Sequence, residues 1–246
     1  MPEERIQKIL ARSGVGSRRN CELIISEGRV SVNGRIVQLG DRADVQNDTI
    51  AIDGKIIKDL DKKVYIALYK PRGYLSIENK NDPRPNIYEL IDFSPRVFPV
   101  GRLDIDSEGL LLLTNDGDLT YRLSHPKFQH EKEYRVKVKR RPDKDQLEKW
   151  RRGVVLDDGY KTRPAGVNII SSSPGSAWLQ IILTEGKKHQ IRRTGLTIGL
   201  PVERIIRVRI GSLKLGKLRP KEFRMLVSKE VSDLKRGLNL QTNRST

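Results

Sequence analysis

The chain has 246 residues, of which 48 are Lys or Arg and 31 Asp or Glu, giving a formal net charge of +17 at pH 7. A balance this basic argues against a neutral or acidic metabolite as sole partner and favours a polyanion, nucleic acid or an anionic membrane surface. The single cysteine, Cys21, excludes an intrachain disulfide and a cysteine-built zinc cage. No stretch approaches the ~20 apolar residues of a membrane span, so a soluble chain in a reducing, cytoplasmic setting is expected.

The charge is uneven. Residues 1–60 hold 10 basic and 9 acidic side chains, residues 61–120 hold 8 and 10, and residues 121–246 hold 30 and 12. The whole excess lies in the second half.

In chain order, residues 5–12 place Ile6, Ile9 and Leu10 at helical spacing, and Gly14 and Gly16 end that helix. Ser17 reads as the N-cap of a second helix carrying Arg18, Arg19, Leu23, Ile24 and Ile25, with Gly28 just past its end. In RVSVNGRIV (29–37), alternating residues flank Asn33-Gly34, a strong hairpin signal. Thr49–Ile52 followed by Asp53-Gly54 gives a further strand and turn. The result is an α+β unit of about sixty residues whose Arg18, Arg19, Arg29 and Arg35 gather on the second helix start and the hairpin. Read alone, such a group is as easily a solvated face.

The polar run 58–63 suits a linker. Residues 64–74 (VYIALYKPRGY) are a strand entering a Pro-Gly turn. Residues 97–119 are two apolar segments around a charged loop, and the unbroken Leu110–Leu113 predicts a strand buried on both faces. Residues 131–140 alternate, placing Tyr134, Val136 and Val138 on one strand face. Asp143 to Gln146 is a capping box opening a short helix through Trp150, stopped at Gly153. Residues 178–186 form a strand, 187–199 are helical, and 202–216 return to strands. From about 229 the periodicity fades, and a loose tail is expected. Without a βαβ rhythm, this region is α+β around a mixed, largely antiparallel sheet with flanking helices.

The loop Asp104-Ile105-Asp106-Ser107-Glu108-Gly109 carries the sharpest chemistry. A calcium loop of this spacing needs a bidentate Glu where Asn115 stands and a polar residue near Leu112. Paired carboxylates for glycoside hydrolysis find no support elsewhere in the chain. An Asp capping a turn is the plain structural reading. Against it stand Arg102, the buried strand that follows, and the basic remainder of the chain. A neighbouring arginine favours a carboxylate's ionised form, which is the form that acts as nucleophile or base.

ILARSGVGSRR with GRVSVNG resembles the S4 RNA-binding domain. GRLDIDSEGLLLLTNDGDL resembles the signature of the RsuA/RluB family of ribosomal RNA pseudouridine synthases. YKPRGY resembles that family's first motif, EKEYRV its tyrosine-bearing strand, and LTEGKKHQIRR with RIIRVRIGSLKLG its third motif region. The resemblance spans most of residues 4–226. It implies an S4-like domain at 1–59, a linker at 60–63, a catalytic domain at 64–228 and a loosely ordered tail at 229–246.

The resemblance also implies roles. Asp104 is the catalytic aspartate, Tyr134 the active-site tyrosine, Arg192 the arginine pairing with the aspartate, and Ile205 the residue packing on the target base. Arg102 fills the gap left by the flipped nucleotide. Lys187, Lys188, Gln190 and Arg193, with Arg18, Arg19, Arg29 and Arg35, contact RNA. His125, His130 and His189 receive no catalytic role, and no metal or cofactor is implied. The expected reaction isomerises uridine to pseudouridine in ribosomal RNA, with a large-subunit target leaning over a small-subunit one. The expected partner is ribosomal RNA or a ribosomal subunit precursor, met by a monomer. The competing reading is a non-catalytic RNA-binding assembly factor. Departures from the family pattern are Ser107 in place of a threonine, Thr194 after Arg193 in place of a methionine, and Ile205 in place of a leucine.

Overall fold

Two hydrophobic periods in the sequence, helical at the start and alternating later, produce two kinds of layer. In the computed structural model, which describes residues 3–57, 63–79, 81–91 and 96–240, they separate into two units. One is formed by residues 1–64 with short pieces at 93–97 and 115–117; the other by 65–92, 98–114 and 118–246.

The first unit runs β1 (Glu4–Arg5), α1 (Ile6–Arg12), α2 (Arg18–Ser26), β2 (Val30–Val32), β3 (Arg35–Ile36), β4 (Arg42–Ala43), β5 (Ile50–Ile52) and β6 (Lys55–Ile56). Strands order as β3-β2-β5-β6, and β1 pairs separately with β4. Ser17 caps α2, its side chain accepting from the Asn20 amide. Asn33 and Gly34 take positive φ values of 50° and 81°, as a type I′ hairpin turn requires. Ile6, Ile9, Leu10, Cys21, Ile25 and Val30 form the core. The helix and hairpin expectations all hold.

The second unit runs β7 (Tyr65–Lys70), β8 (Phe98–Pro99), β9 (Glu108–Thr114), α3 (Gly117–Ser124), β10 (Lys132–Val138), α4 (Lys144–Arg152), β11 (Gly166–Ser173), β12 (Ser176–Leu183), α5 (Gln190–Thr197), β13 (Val202–Ile210), β14 (Leu213–Lys214), β15 (Phe223–Met225) and α6 (Ser228–Gly237). Among the described residues its sheet orders as β11-β12-β10-β13-β9-β7-β15, with β14 on β13 and β8 on β9. Every pairing is antiparallel except β9 with β13, which is parallel.

Alternation along the strands builds two cores. Tyr134, Val136, Val138 and Ile205 face one, where Leu147 and Trp150 of α4 and Ile191 of α5 join them. Ile206, Val208, Leu110 and Leu112 face the other, with Leu119 and Leu123 of α3 and Leu234 of α6. All seven residues of β9 are buried, as its leucine run predicts. The capping box at Asp143 and Gln146 forms, and Gly153 ends α4.

The loose tail is corrected. Residues 228–237 form α6, with Leu234 and Leu238 only 2% and 5% exposed. Apolar residues at 231, 234 and 238 keep helical spacing, but charged residues between them mask it to the eye. Residues 241–246 lie outside the described residues, as do residues 58–62, which hold most of the expected linker. Strand β11 was not anticipated; its residues are mostly exposed and show no alternation.

The β9–β13 crossing is tight. Gly109 has φ +106°, and a Cβ placed there would sit 2.3 Å from the Arg207 carbonyl oxygen. Gly109→Ala is therefore expected to destabilise the fold by about 2 kcal/mol or more. Thermal melting beside the wild type tests it, and an unchanged midpoint would refute the close approach.

Candidate active site

The loop from Arg102 to Ser107 precedes β9 and belongs to no ladder, so its carbonyls need donors from elsewhere. Each has one. Arg207 Nη1 donates to Arg102 O at 3.2 Å, and Ser76 Oγ to Leu103 O at 2.7 Å. Lys70 Nζ donates to Asp104 O at 3.1 Å and to Ser107 O at 2.9 Å. The Gly73 amide donates to Ile105 O at 2.8 Å, and Arg192 Nη2 to Asp106 O at 3.0 Å. A turn bond from the Ser107 amide to Asp104 O at 3.0 Å closes the loop, and the Leu103 amide returns a bond to Ser76. The segments YKPRGY, HQIRR and RIIRVRIG thus meet on one stretch of backbone.

With its carbonyl fixed, Asp104 projects its side chain outward at 37% exposure, Oδ2 lying 3.2 Å from His189 Nδ1. His189 itself has φ 52°, a left-handed conformation uncommon for a residue with a side chain, and it precedes α5.

Two buried cations underlie the loop. Lys70 is fully buried at the end of β7. Burial pushes its ammonium down to about 8, a fall that the nearby Asp104 partly opposes. Arg207 is 2% exposed, donates Nε to Leu110 O at 2.8 Å, and has no partner for its buried Nη2. Burial lowers its pKa, while Tyr134 and Asp104 act in the other direction. Tyr134 stands opposite Arg207 in the β10–β13 register and is 8% exposed. Beside them, Glu108 is buried and takes Arg204 Nε at 2.6 Å and the Tyr69 hydroxyl at 3.2 Å. Burial, then the Glu108 charge, pushes the Tyr69 phenol up to about 12.

The anticipated residues fare differently. Asp104, Tyr134 and Arg192 all belong to this unit, but Arg192 serves the loop backbone through Asp106 O and donates a second bond to Val202 O at 3.3 Å. The expected contact of Arg192 with the Asp104 carboxylate is not made; a histidine occupies that side. Ile205 is buried in the core with Tyr134. Arg102, Lys187 and Lys188 are exposed, Lys187 lying 4.3 Å above the Tyr160 ring. Gln190 departs from the expected RNA contact. It is 5% exposed, accepts from the Lys187 amide and donates to Glu185 at 2.7 Å, so both ends of its amide are used internally. Arg193 is held by Asp157 and Asp158.

In the first unit, Arg18, Arg19 and Arg35 are exposed, whereas Arg29 makes a forked contact with Asp53 and a further one with Glu27. Those two acids hold its guanidinium more firmly charged and leave it poorly placed for phosphate.

Sequence reasoning missed Lys70, Ser76, Arg207 and His189. A signal existed for two. Lys70 ends a strand of otherwise buried residues, and Arg207 shares the inward face with Ile205. Among the described residues no cluster of His, Cys, Asp or Glu is arranged to hold a metal ion, and no helix is long and apolar enough to cross a membrane.

Comparisons with known proteins bear on the family and the fold. Residues 64–195 match the family model described as RNA pseudouridylate synthase, and residues 4–50 match the S4 domain. The chain is 42% identical to ribosomal large subunit pseudouridine synthase B of Yersinia pestis, over 89% of this chain and 70% of that one. It is 41% identical to an uncharacterized RNA pseudouridine synthase of Aquifex aeolicus (strain VF5), over 98% and 97% of the two chains. A crystal structure of a pseudouridylate synthase superposes with a TM-score of 0.68 at 29% identity, covering 94% of this chain and 99% of that one.

Lys70→Met keeps the length of the side chain and removes its donors. With the loop carbonyls released, kcat is expected to fall about 100-fold with RNA affinity retained, read by single-turnover kinetics and a binding titration. A pH effect follows from the same residue. Its folded pKa of about 8 lies below the unfolded 10.5, so the unfolded chain binds the extra proton between those values. Stability from this group therefore rises from pH 8 towards 10.5. Wild type should gain on Lys70→Met across that window in urea midpoints, and parallel curves would refute the shift.

Proposed function

The chain belongs to the RNA pseudouridine synthase family, and from that premise we propose that it isomerises a uridine of ribosomal RNA, with the large-subunit RNA as the favoured target. The observation that carries the reading is the loop in which six successive carbonyls are fixed and the Asp104 carboxylate is left half-exposed. A turn-capping aspartate would use its side chain on the turn. Here other residues hold the turn and the carboxylate stays available.

In the reaction, the uridine N–C glycosidic bond breaks, the base turns, and a new bond forms from the ribose to C5, which loses its proton while the freed N1 takes one up. No oxidant, reductant or net water is required. Asp104 acts on the flipped nucleotide, as nucleophile or as base. A uridine stacked in RNA is out of its reach, so the nucleotide leaves the stack at a cost of a few kcal/mol. Tyr134 offers an aromatic face to the base and a hydroxyl for the C5 proton, and Ile205 packs behind it. Arg192 keeps Asp104 in place through the loop backbone. Arg102, exposed at the loop's start, fills the space the nucleotide vacates. His189 shares the open side of Asp104 and yields it when the uridine enters.

The S4 unit supplies a grip on the surrounding RNA. Arg18 and Arg19 stand in the first turn of α2, where no acid accompanies them. Cations are unfavourable at a helix N-terminus, so their presence suits a phosphate partner better than helix stability.

Wild-type protein with ribosomal RNA tritiated at uridine C5 should release tritium, and Asp104→Asn should stop release while binding persists. Release at the wild-type rate by that variant would remove Asp104 from the chemistry; absence of release by the wild type on every ribosomal RNA, with tight binding, would favour an assembly factor. Arg18→Ala with Arg19→Ala should reduce the slope of log affinity against log salt by about 1 to 2. An unchanged slope would exclude this helix end as a phosphate contact.

A further inference from the structure

Between α3 and β10 lies a cluster of rings that the catalytic residues do not use. Tyr121 and His125 have centroids 5.1 Å apart, Tyr121 and Phe128 5.7 Å, His125 and Phe128 6.2 Å, and Phe128 and His130 6.2 Å. Two cations lie over them. Lys127 Nζ stands 5.2 Å from the Tyr121 ring centre and 4.7 Å from that of Phe128, and the Arg122 guanidinium 5.9 Å from Phe128.

The cluster is built rather than incidental. The residues Pro126–Phe128 form a single 3-10 turn, whose His125 cap accepts from the Lys127 amide. Gln129 takes the left-handed conformation at the end of that turn, before β10 begins. Arg122 is anchored through Nη1 to Leu238 O at 3.0 Å. Yet Tyr121 remains 49% exposed. A purely structural cluster would bury its largest ring.

Exposed aromatic faces interleaved with cations fit one kind of ligand well. Bases stack on the rings, phosphates meet the cations, and neither contact depends on base identity. The position suits the enzyme. No more than about 14 Å of chain separates His130 from Tyr134, and Lys132 between them lies close enough to Arg207 for the two charges to repel.

We propose that the Tyr121–His130 cluster is a docking platform on which unpaired nucleotides flanking the modified uridine stack. The inference rests on the reading of this protein as an RNA-modifying enzyme and adds to it a second RNA contact outside the reacting residues.

The test uses the full-length protein and two labelled probes, an RNA hairpin with an unpaired extension and the same hairpin without it, titrated by fluorescence anisotropy. Tyr121→Leu keeps apolar bulk and removes the stacking face; Tyr121→Trp keeps a stacking face. The wild type should bind the extended probe more tightly. Tyr121→Leu should weaken that probe roughly five- to 100-fold and leave the blunt hairpin unchanged, while Tyr121→Trp should bind as the wild type does. Equal binding of both probes by the wild type, no loss with Tyr121→Leu, or an equal loss on both probes would overturn the platform. Tritium release by the wild type is measured in parallel. Its absence would defeat the isomerase reading while leaving the binding comparison intact.

Discussion

An irregular loop that leaves the Asp104 carboxylate open sets the constraint on which the second unit depends. The backbone of residues 102–107 must be fixed without using the Asp104 side chain to fix it. A sheet cannot do this, because the loop's carbonyls follow no ladder. Water, which exchanges, holds such a loop less firmly than fixed side-chain donors do. Most of the donors come from side chains that carry several N–H groups, here lysine and arginine. Lys70 serves two loop carbonyls, Arg207 and Arg192 one each, and Ser76 and the Gly73 amide the rest.

That solution costs stability. Two cations sit in the interior without a carboxylate ion pair of their own, and the fall of the Lys70 pKa to about 8 is a measure of the strain. Arg207 keeps a buried nitrogen without a partner. The arrangement also demands the close parallel crossing of β9 and β13, which only glycine at 109 permits. A chain selected for stability alone would place leucine at 70 and 207. Retaining the cations makes sense where a displacement of the carboxylate by an ångström costs more than a few kcal/mol of folding.

The same constraint explains what could be read from the amino-acid sequence and what could not. Elements with a clean period were legible: the α2 cap at Ser17, the Asn33-Gly34 hairpin, the β9 leucine run and the β10 alternation all stand where the sequence places them. Helix α6 was not, because charged residues dilute its apolar spacing. At the site, the motifs carrying Asp104 and Tyr134 were legible, and both fall in the second unit. The partner of Asp104 was not. The family resemblance implies an ion pair between Arg192 and Asp104, whereas Arg192 reaches the backbone of Asp106 and His189 faces the carboxylate. Side-chain direction across a loop is decided by packing, and no linear spacing encodes it.

Net charge is legible too, but it does not say which cations RNA would meet. Arg29 is bound to Asp53 and Glu27, Arg193 to Asp157 and Asp158, Arg204 to Glu108, and Arg209 to Glu131 and Glu133. Lys70 and Arg207 are buried. The paired cations cancel against their acids in the sum of +17, so the excess rests on cations without an acid partner. Several exposed cations lie on the segments described above. Arg18, Arg19 and Arg35 lie on the first unit. Arg102, Lys187 and Lys188 lie on the segments that carry Asp104 and His189, and Lys127 stands over its aromatic rings. Attraction to RNA is then governed by where the unengaged cations sit, which is why a first unit with nearly balanced charge can still serve as a grip.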